Sequence, residues 1–107
     1  MAGSVFRVML RMVIKPGQEE QFEQEWYRSG SVITGQRANL GQWLSRSADE
    51  PGVYYIVSDW TDEPRFREYE RSEGHRRHRE RLHPYRAEGQ MTTMHVLHDL
   101  PGAGRAA

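Results

Sequence analysis

From Val5 to Lys15 the chain alternates as a β-strand does. Phe6, Val8, Leu10, Met12 and Ile14 fall on one side, and Val5, Arg7, Met9, Arg11 and Val13 on the other. The second set is half apolar, which predicts at least partial cover on both sides. Pro16 and Gly17 end the strand. The period then lengthens. Phe22, Trp26, Ser29 and Ile33 recur at helical spacing and predict a helix from Gln18 to about Thr34. Glu19, Glu20, Glu23 and Glu25 crowd its first half, where the helix dipole favours negative charge. Gly30 and Gly35 weaken its far end.

Asn39 to Ser47 predicts a second strand, with Leu40, Gln42 and Leu44 opposite Gly41, Trp43 and Ser45. The turn Ala48-Asp49-Glu50-Pro51-Gly52 joins it to a third strand, Val53 to Trp60, as an antiparallel hairpin. Tyr54, Ile56, Ser58 and Trp60 share one face of that strand, and Tyr55, Val57 and Asp59 share the other. Thr61 or Asp62 can cap the helix that follows, and Pro64 suits its first turn. Phe66 and Tyr69 point inward. Ser72-Glu73-Gly74 interrupts this helix, and Ser72 can cap a second segment bearing His75, His78, Arg79 and Leu82. His83-Pro84 stops it. Met91 to Leu97 predicts a fourth strand, and residues 101–107 a disordered tail.

The order is strand, helix, strand, strand, helix, strand. It predicts an α+β fold, a ferredoxin-like βαββαβ unit with a four-stranded antiparallel sheet and both helices on one face. Residues 1–100 form a single domain on this reading. The other face of the sheet carries Val5, Met9, Val13, Tyr55 and Val57. A second sheet packed there would bury them, which predicts a homodimer.

Composition points the same way. With 107 residues there is room for one core, and 36% hydrophobic against 28% charged residues makes that core lean. Fifteen basic residues balance fifteen acidic ones, so no global field would hold nucleic acid. There is no cysteine, which excludes disulfides, thiolate metal sites and cysteine nucleophiles. No apolar run approaches the roughly 20 residues that cross a bilayer, and MAGSVFRVML lacks the pattern of a signal peptide. The expected location is the cytoplasm, without a membrane partner.

Candidate chemistry centres on Val53 to Tyr85. Trp60 and its face-mates are either plain core or the wall of a pocket for a flat aromatic ligand. His75 and His78 share a helix face. His95 and His98 would fall on opposite faces of a strand, so a four-histidine metal site is hard to assemble and no metal is expected. A histidine acting as general acid or base is the better reading, because imidazole titrates near neutral pH. The arginines from Arg65 to Arg86 could hold an acidic ligand or a carrier protein. They alternate with Glu68, Glu70, Glu73 and Glu80, however, which reads mostly as a solvated, ion-paired helix face. No phosphate-binding loop or G-x-S-x-G elbow occurs, so no nucleotide, flavin or nicotinamide is expected.

The segments NLGQWLSRS, GVYYIVSDWTDEPRFREYERSEGHRRHRERLHPY and MTTMHVLHDL, in this order, resemble the SchA/CurD-like proteins of aromatic polyketide and spore-pigment clusters. More broadly the chain resembles the antibiotic biosynthesis monooxygenase superfamily over roughly residues 5–98. That resemblance implies pairing into a dimeric α/β barrel. It also implies oxygenation of a polycyclic phenol or anthrone to a quinone by O₂, with no cofactor. Trp60 matches the superfamily's strand-end tryptophan. The asparagine four residues before it is replaced by Ile56, and the tyrosine six residues after it by Phe66. Substitute roles then fall to His75 or His78 as base, with Ser58 and Tyr54 as hydrogen-bonding groups. Trp43, Trp60 and Phe66 would be walls, and Arg79 a further contact. An aromatic polyketide and O₂ are the implied small molecules, and an acyl carrier protein is a further candidate partner. Haem degradation is disfavoured, since the first strand lacks asparagine and position 70 is Glu. Two other readings stand beside the oxygenase: a polyketide cyclase closing a poly-β-ketone by aldol chemistry, and a non-catalytic accessory dimer.

Overall fold

The computed structural model describes residues 4–105. Its sheet has the order β2-β3-β1-β4, with every neighbouring pair antiparallel. The strands are β1 (Val5–Ile14), β2 (Asn39–Arg46), β3 (Val53–Trp60) and β4 (Arg86–Val96). The helices are α1 (Glu19–Ser29), α2 (Ser31–Thr34), α3 (Glu63–Glu70) and α4 (Glu73–Leu82), and a short 3-10 turn covers His83–Tyr85. This is the expected ferredoxin-like α+β architecture.

Alternation decides which side is core. Phe6, Val8, Met12 and Ile14 of β1 are buried with Tyr54, Ile56, Ser58 and Trp60 of β3. The core has two lobes. Phe6, Val8, Trp60, Phe66 and Tyr69 pack at one end, and Met12, Ile14, Phe22, Tyr54, Ile56 and Leu82 at the other. Val5, Met9, Val13, Tyr55 and Val57 face the opposite side and are only half-buried, with Trp43 51% exposed among them. On that face the Arg7 guanidinium grips the Asp59 carboxylate with two hydrogen bonds of 2.7 and 2.9 Å.

The helix boundaries follow local chemistry. The Asp62 side chain accepts the Arg65 N–H at 2.9 Å and starts α3; the Ser72 side chain accepts the His75 N–H at 3.2 Å and starts α4. Gly52, at φ +78°, makes the hairpin turn that a side chain would strain. Gly30 divides the first helical region into α1 and α2. Its carbonyl accepts a 2.8 Å bond from the Gln42 amide of β2, and a Cβ there would crowd that amide at 3.1 Å.

Two expectations change. Leu40 does not share the face of Gln42 and Leu44. The β2–β3 register shifts between Asn39 and Gly41, and the bulge leaves Leu40 54% exposed. The fourth strand begins at Arg86, five residues before the expected Met91, because the edge of β1 pairs with it along its whole length. The 97–105 segment is exposed and contains no helix or strand; the remainder of the expected tail lies outside the described residues. No helix among the described residues is long and apolar enough to cross a membrane.

Candidate active site

Between the inner face of the sheet and the helices lies a cavity of about 310 Å³. Its floor is apolar: Val8, Leu10 and Met12 of β1 and Ile56 of β3. Strand alternation delivers these side chains to one face, and Ser58 and Trp60 continue the β3 row. Phe66 and Tyr69 of α3 close one end, and α4 contributes His75, His78 and Arg79.

The Trp60 end is rigid. Trp60 is 1% exposed and donates its indole N–H to Ser58 Oγ at 3.0 Å. Tyr69 stacks on it at 5.2 Å between ring centroids, and Phe66 meets it edge-on at 5.3 Å. His75 then stands edge-on to Tyr69, also at 5.2 Å. A chain of rings therefore runs Phe66–Trp60–Tyr69–His75 and ends on an imidazole.

Both histidines are tuned toward neutrality. Burial lowers the His75 pKa from its ordinary 6.5, and the nearby Arg79 charge adds to the effect. Burial likewise lowers that of His78, helped by His75 and Arg81. Neither Nδ1 has a hydrogen-bond partner among the described residues. A neutral imidazole can take a proton from a ligand, and here that role falls to Nε2, since each Nδ1 is sealed off. The Tyr69 hydroxyl, pushed up to about 12 by burial, stays protonated.

Six of the expected site residues thus meet in one cavity: His75, His78, Trp60, Ser58, Phe66 and Arg79. Two do not. Trp43 pairs with Val57 and projects from the opposite face of the sheet, so it cannot form a wall with Trp60. Tyr54 lies in the other core lobe, edge-on to Phe22 at 5.1 Å, and its hydroxyl is already spent on the Glu23 carboxylate. Sequence reasoning missed Trp26 and Tyr69, which line the cavity but read as ordinary inward-facing aromatics. It also missed His83 and Gln90, which the turn before β4 and the long β4 bring to the mouth beside Arg86 of the arginine run.

The arginine helix behaves mostly as a solvated face. Arg67 pairs with Glu63 and Glu70, and Arg76 and Arg77 pair with Glu73. Arg79 and Arg86 have no carboxylate partner among the described residues. With Glu80 and His83 they border a cleft that adjoins the cavity mouth. No group of three or more His, Asp or Glu side chains is placed to hold a metal ion among those residues.

A small ferredoxin-like domain with an aromatic-walled cavity between sheet and helices is the class that fold and site define. The chain belongs to the antibiotic biosynthesis monooxygenase family, whose profile matches residues 5–81. Among solved structures it is similar to SnoaB, a cofactor-independent oxygenase from Streptomyces nogalater. The TM-score is 0.81 at 20% identity, covering 94% of this chain and 100% of that one. A Bordetella bronchiseptica protein provisionally assigned to antibiotic biosynthesis monooxygenases gives 0.79 at 21% identity, covering 92% and 100%. PA3566 from Pseudomonas aeruginosa gives 0.76 at 13%, covering 92% and 99%. At such identities the likeness concerns the fold. No functionally curated protein matches the chain by sequence.

Proposed function

We propose that this protein is a cofactor-independent monooxygenase of aromatic polyketide tailoring, of the SchA/CurD-like kind, which converts a polycyclic phenol or anthrone to a quinone. The observation that carries the reading is the pair His75, half-buried, and His78, buried, both held toward neutrality in the cavity that Trp60 also lines. Family membership and the likeness to SnoaB support it.

The chemistry needs little from the protein. One histidine removes a proton from the substrate and leaves an electron-rich anion. That anion itself reduces O₂, so the anthrone CH₂ and one O₂ become the quinone C=O and one water. Trp60, Tyr69 and Phe66 hold the ring plane, and the closed apolar floor excludes water. The unpaired Arg79 and Arg86 favour a substrate that becomes negative.

The same proposal includes a cytoplasmic homodimer. The half-buried Val5, Met9, Val13, Tyr55 and Val57 and the exposed Trp43 form an apolar sheet face suited to a second copy. A polyketide cyclase is the second reading, favoured by the same histidines, which could remove the acidic proton between two carbonyls of a poly-β-ketone.

Aerobic and anaerobic incubation with an anthrone separates the two. The oxygenase forms quinone only with O₂ and faster than the spontaneous reaction. Absence of acceleration, with cyclisation of a linear polyketide instead, would replace this reading by the cyclase.

A further inference from the structure

The cavity and the cleft beside it share Arg79 of α4, His83 of the 3-10 turn and Arg86 at the start of β4. Arg79 and His83 are exposed and Arg86 is half-buried, so a ligand in the cavity can touch all of them. Neither arginine pairs with a carboxylate among the described residues. The carboxylates nearby are already taken. Glu80 of the cleft is held by Arg76, and Glu70 of the cavity by Arg67.

Arg86 has a place made for it. Gly89 stands opposite Met12 in the β1–β4 register, and so on the cavity side of the sheet. A Cβ at Gly89 would lie 2.8 Å from Arg86 Nη1 and 3.0 Å from its Cδ. The arginine thus occupies space that a glycine leaves open. No positive φ requires glycine at this position, and glycine weakens a strand, so room for Arg86 is what it supplies. Arg86 Nη2 also meets His83 Nδ1 at 3.4 Å. A guanidinium can only donate, so Nδ1 accepts and the imidazole proton sits on Nε2, a further donor.

We infer that Arg79, Arg86 and His83 form an anion subsite for a carboxylate borne by the ring system that fills the cavity. This rests on the reading of the cavity as an aromatic-substrate site, and adds the charged group by which that substrate is oriented. Planar guanidinium forks suit the paired oxygens of a carboxylate. The phosphate of a carrier protein's pantetheine arm would suit them as well. It lies a long, flexible chain away from the rings, however, whereas these arginines line the ring cavity itself. A carboxylate is also charged before turnover, unlike the phenolate, so it turns the substrate ahead of deprotonation. Arg79, Arg86 and His83 bind; Gly89 positions Arg86.

The test is binding, which needs no turnover. The probe is anthraquinone-2-carboxylate, and the control is its uncharged 2-carboxamide. The parent protein should bind the probe about tenfold more tightly than the control. Arg79→Gln and Arg86→Gln should each remove most of that preference and leave the control Kd within about twofold. Gly89→Ala keeps every charge but displaces the Arg86 guanidinium, and should also weaken the probe alone. Arg81→Gln should change neither Kd, since Arg81 lines neither hollow. An equal loss in Arg81→Gln would mean diffuse attraction and overturn the inference. So would a parent protein with no preference for the probe, or one that 4′-phosphopantetheine occupies in the probe's stead; the aromatic site would survive either. Binding of neither ring ligand would overturn both. The expected Kd pattern without O₂ chemistry would remove the oxygenase and leave the subsite.

Discussion

Tyr69 lies against Trp60 with ring centroids 5.2 Å apart and planes 26° from parallel, so a residue of α3 extends the aromatic surface on which β3 ends. Both rings are buried. This contact ties the helix that leads into His75 to the strand that supplies the cavity floor. Trp60 is therefore a packing residue as well as a wall. Trp60→Ala should cost about 3–5 kcal/mol of stability, measured by chemical denaturation. Trp60→Phe should keep most of the stability while losing quinone-forming activity.

The caps of α3 and α4 separate stability from histidine placement. Asp62→Ala and Ser72→Ala each delete one side-chain acceptor and should each cost about 1 kcal/mol. Only Ser72 holds the N–H of His75. The Ser72→Ala variant should therefore shift the His75 titration seen by NMR, and Asp62→Ala should leave it in place.

His75 and His78 make stability depend on acid. Their folded pKa values are lowered from 6.5, so below 6.5 the unfolded chain binds protons that the folded one does not yet bind. Stability should be constant above about pH 7.5 and fall as pH drops through 6.5. The fall should level off once the lowered folded values are passed. His78→Gln should flatten part of this slope in pH-dependent denaturation. Activity should retain its neutral base to more acid pH than an exposed histidine allows, with an acid limb of kcat/KM centred below 6.5.

The open sheet face gives a fourth expectation. Val57→Arg, at a half-buried position opposite Trp43, places a charge where the second copy would pack. Sedimentation should show the parent protein as a dimer and the variant as a monomer. A monomeric parent protein would contradict the dimer.

The architecture could be read from the sequence because most of it is written in local alternation. The β1 and β3 rows and the caps Asp62 and Ser72 all carry their own signals, whereas Gly74 lies inside α4, past the break at Arg71 and Ser72. Arg86–Gln90 does not. RAEGQ is polar, and pairing with the edge of β1 makes it a strand. The site was legible where one element brought its members together, as with His75, His78 and Arg79 on α4. Trp43 and Tyr54 have the right chemistry for a pocket but the wrong positions. One points through the sheet, and the other lies six residues from Trp60 along β3, about 20 Å away. Trp26 and Tyr69 carried no distinguishing signal, since an inward aromatic reads as core.

Oxygen-isotope labelling tests the central claim most directly. Chelator-treated, flavin-free protein would be incubated with an anthrone under ¹⁸O₂, and the quinone analysed by mass spectrometry early in the reaction. The oxygenase should place one ¹⁸O in each product molecule, at a rate that falls at least about tenfold in the His75→Ala, His78→Ala double variant. Product formed at the spontaneous rate, or equally fast in that variant, would contradict a histidine-driven, cofactor-free oxygenation in this cavity.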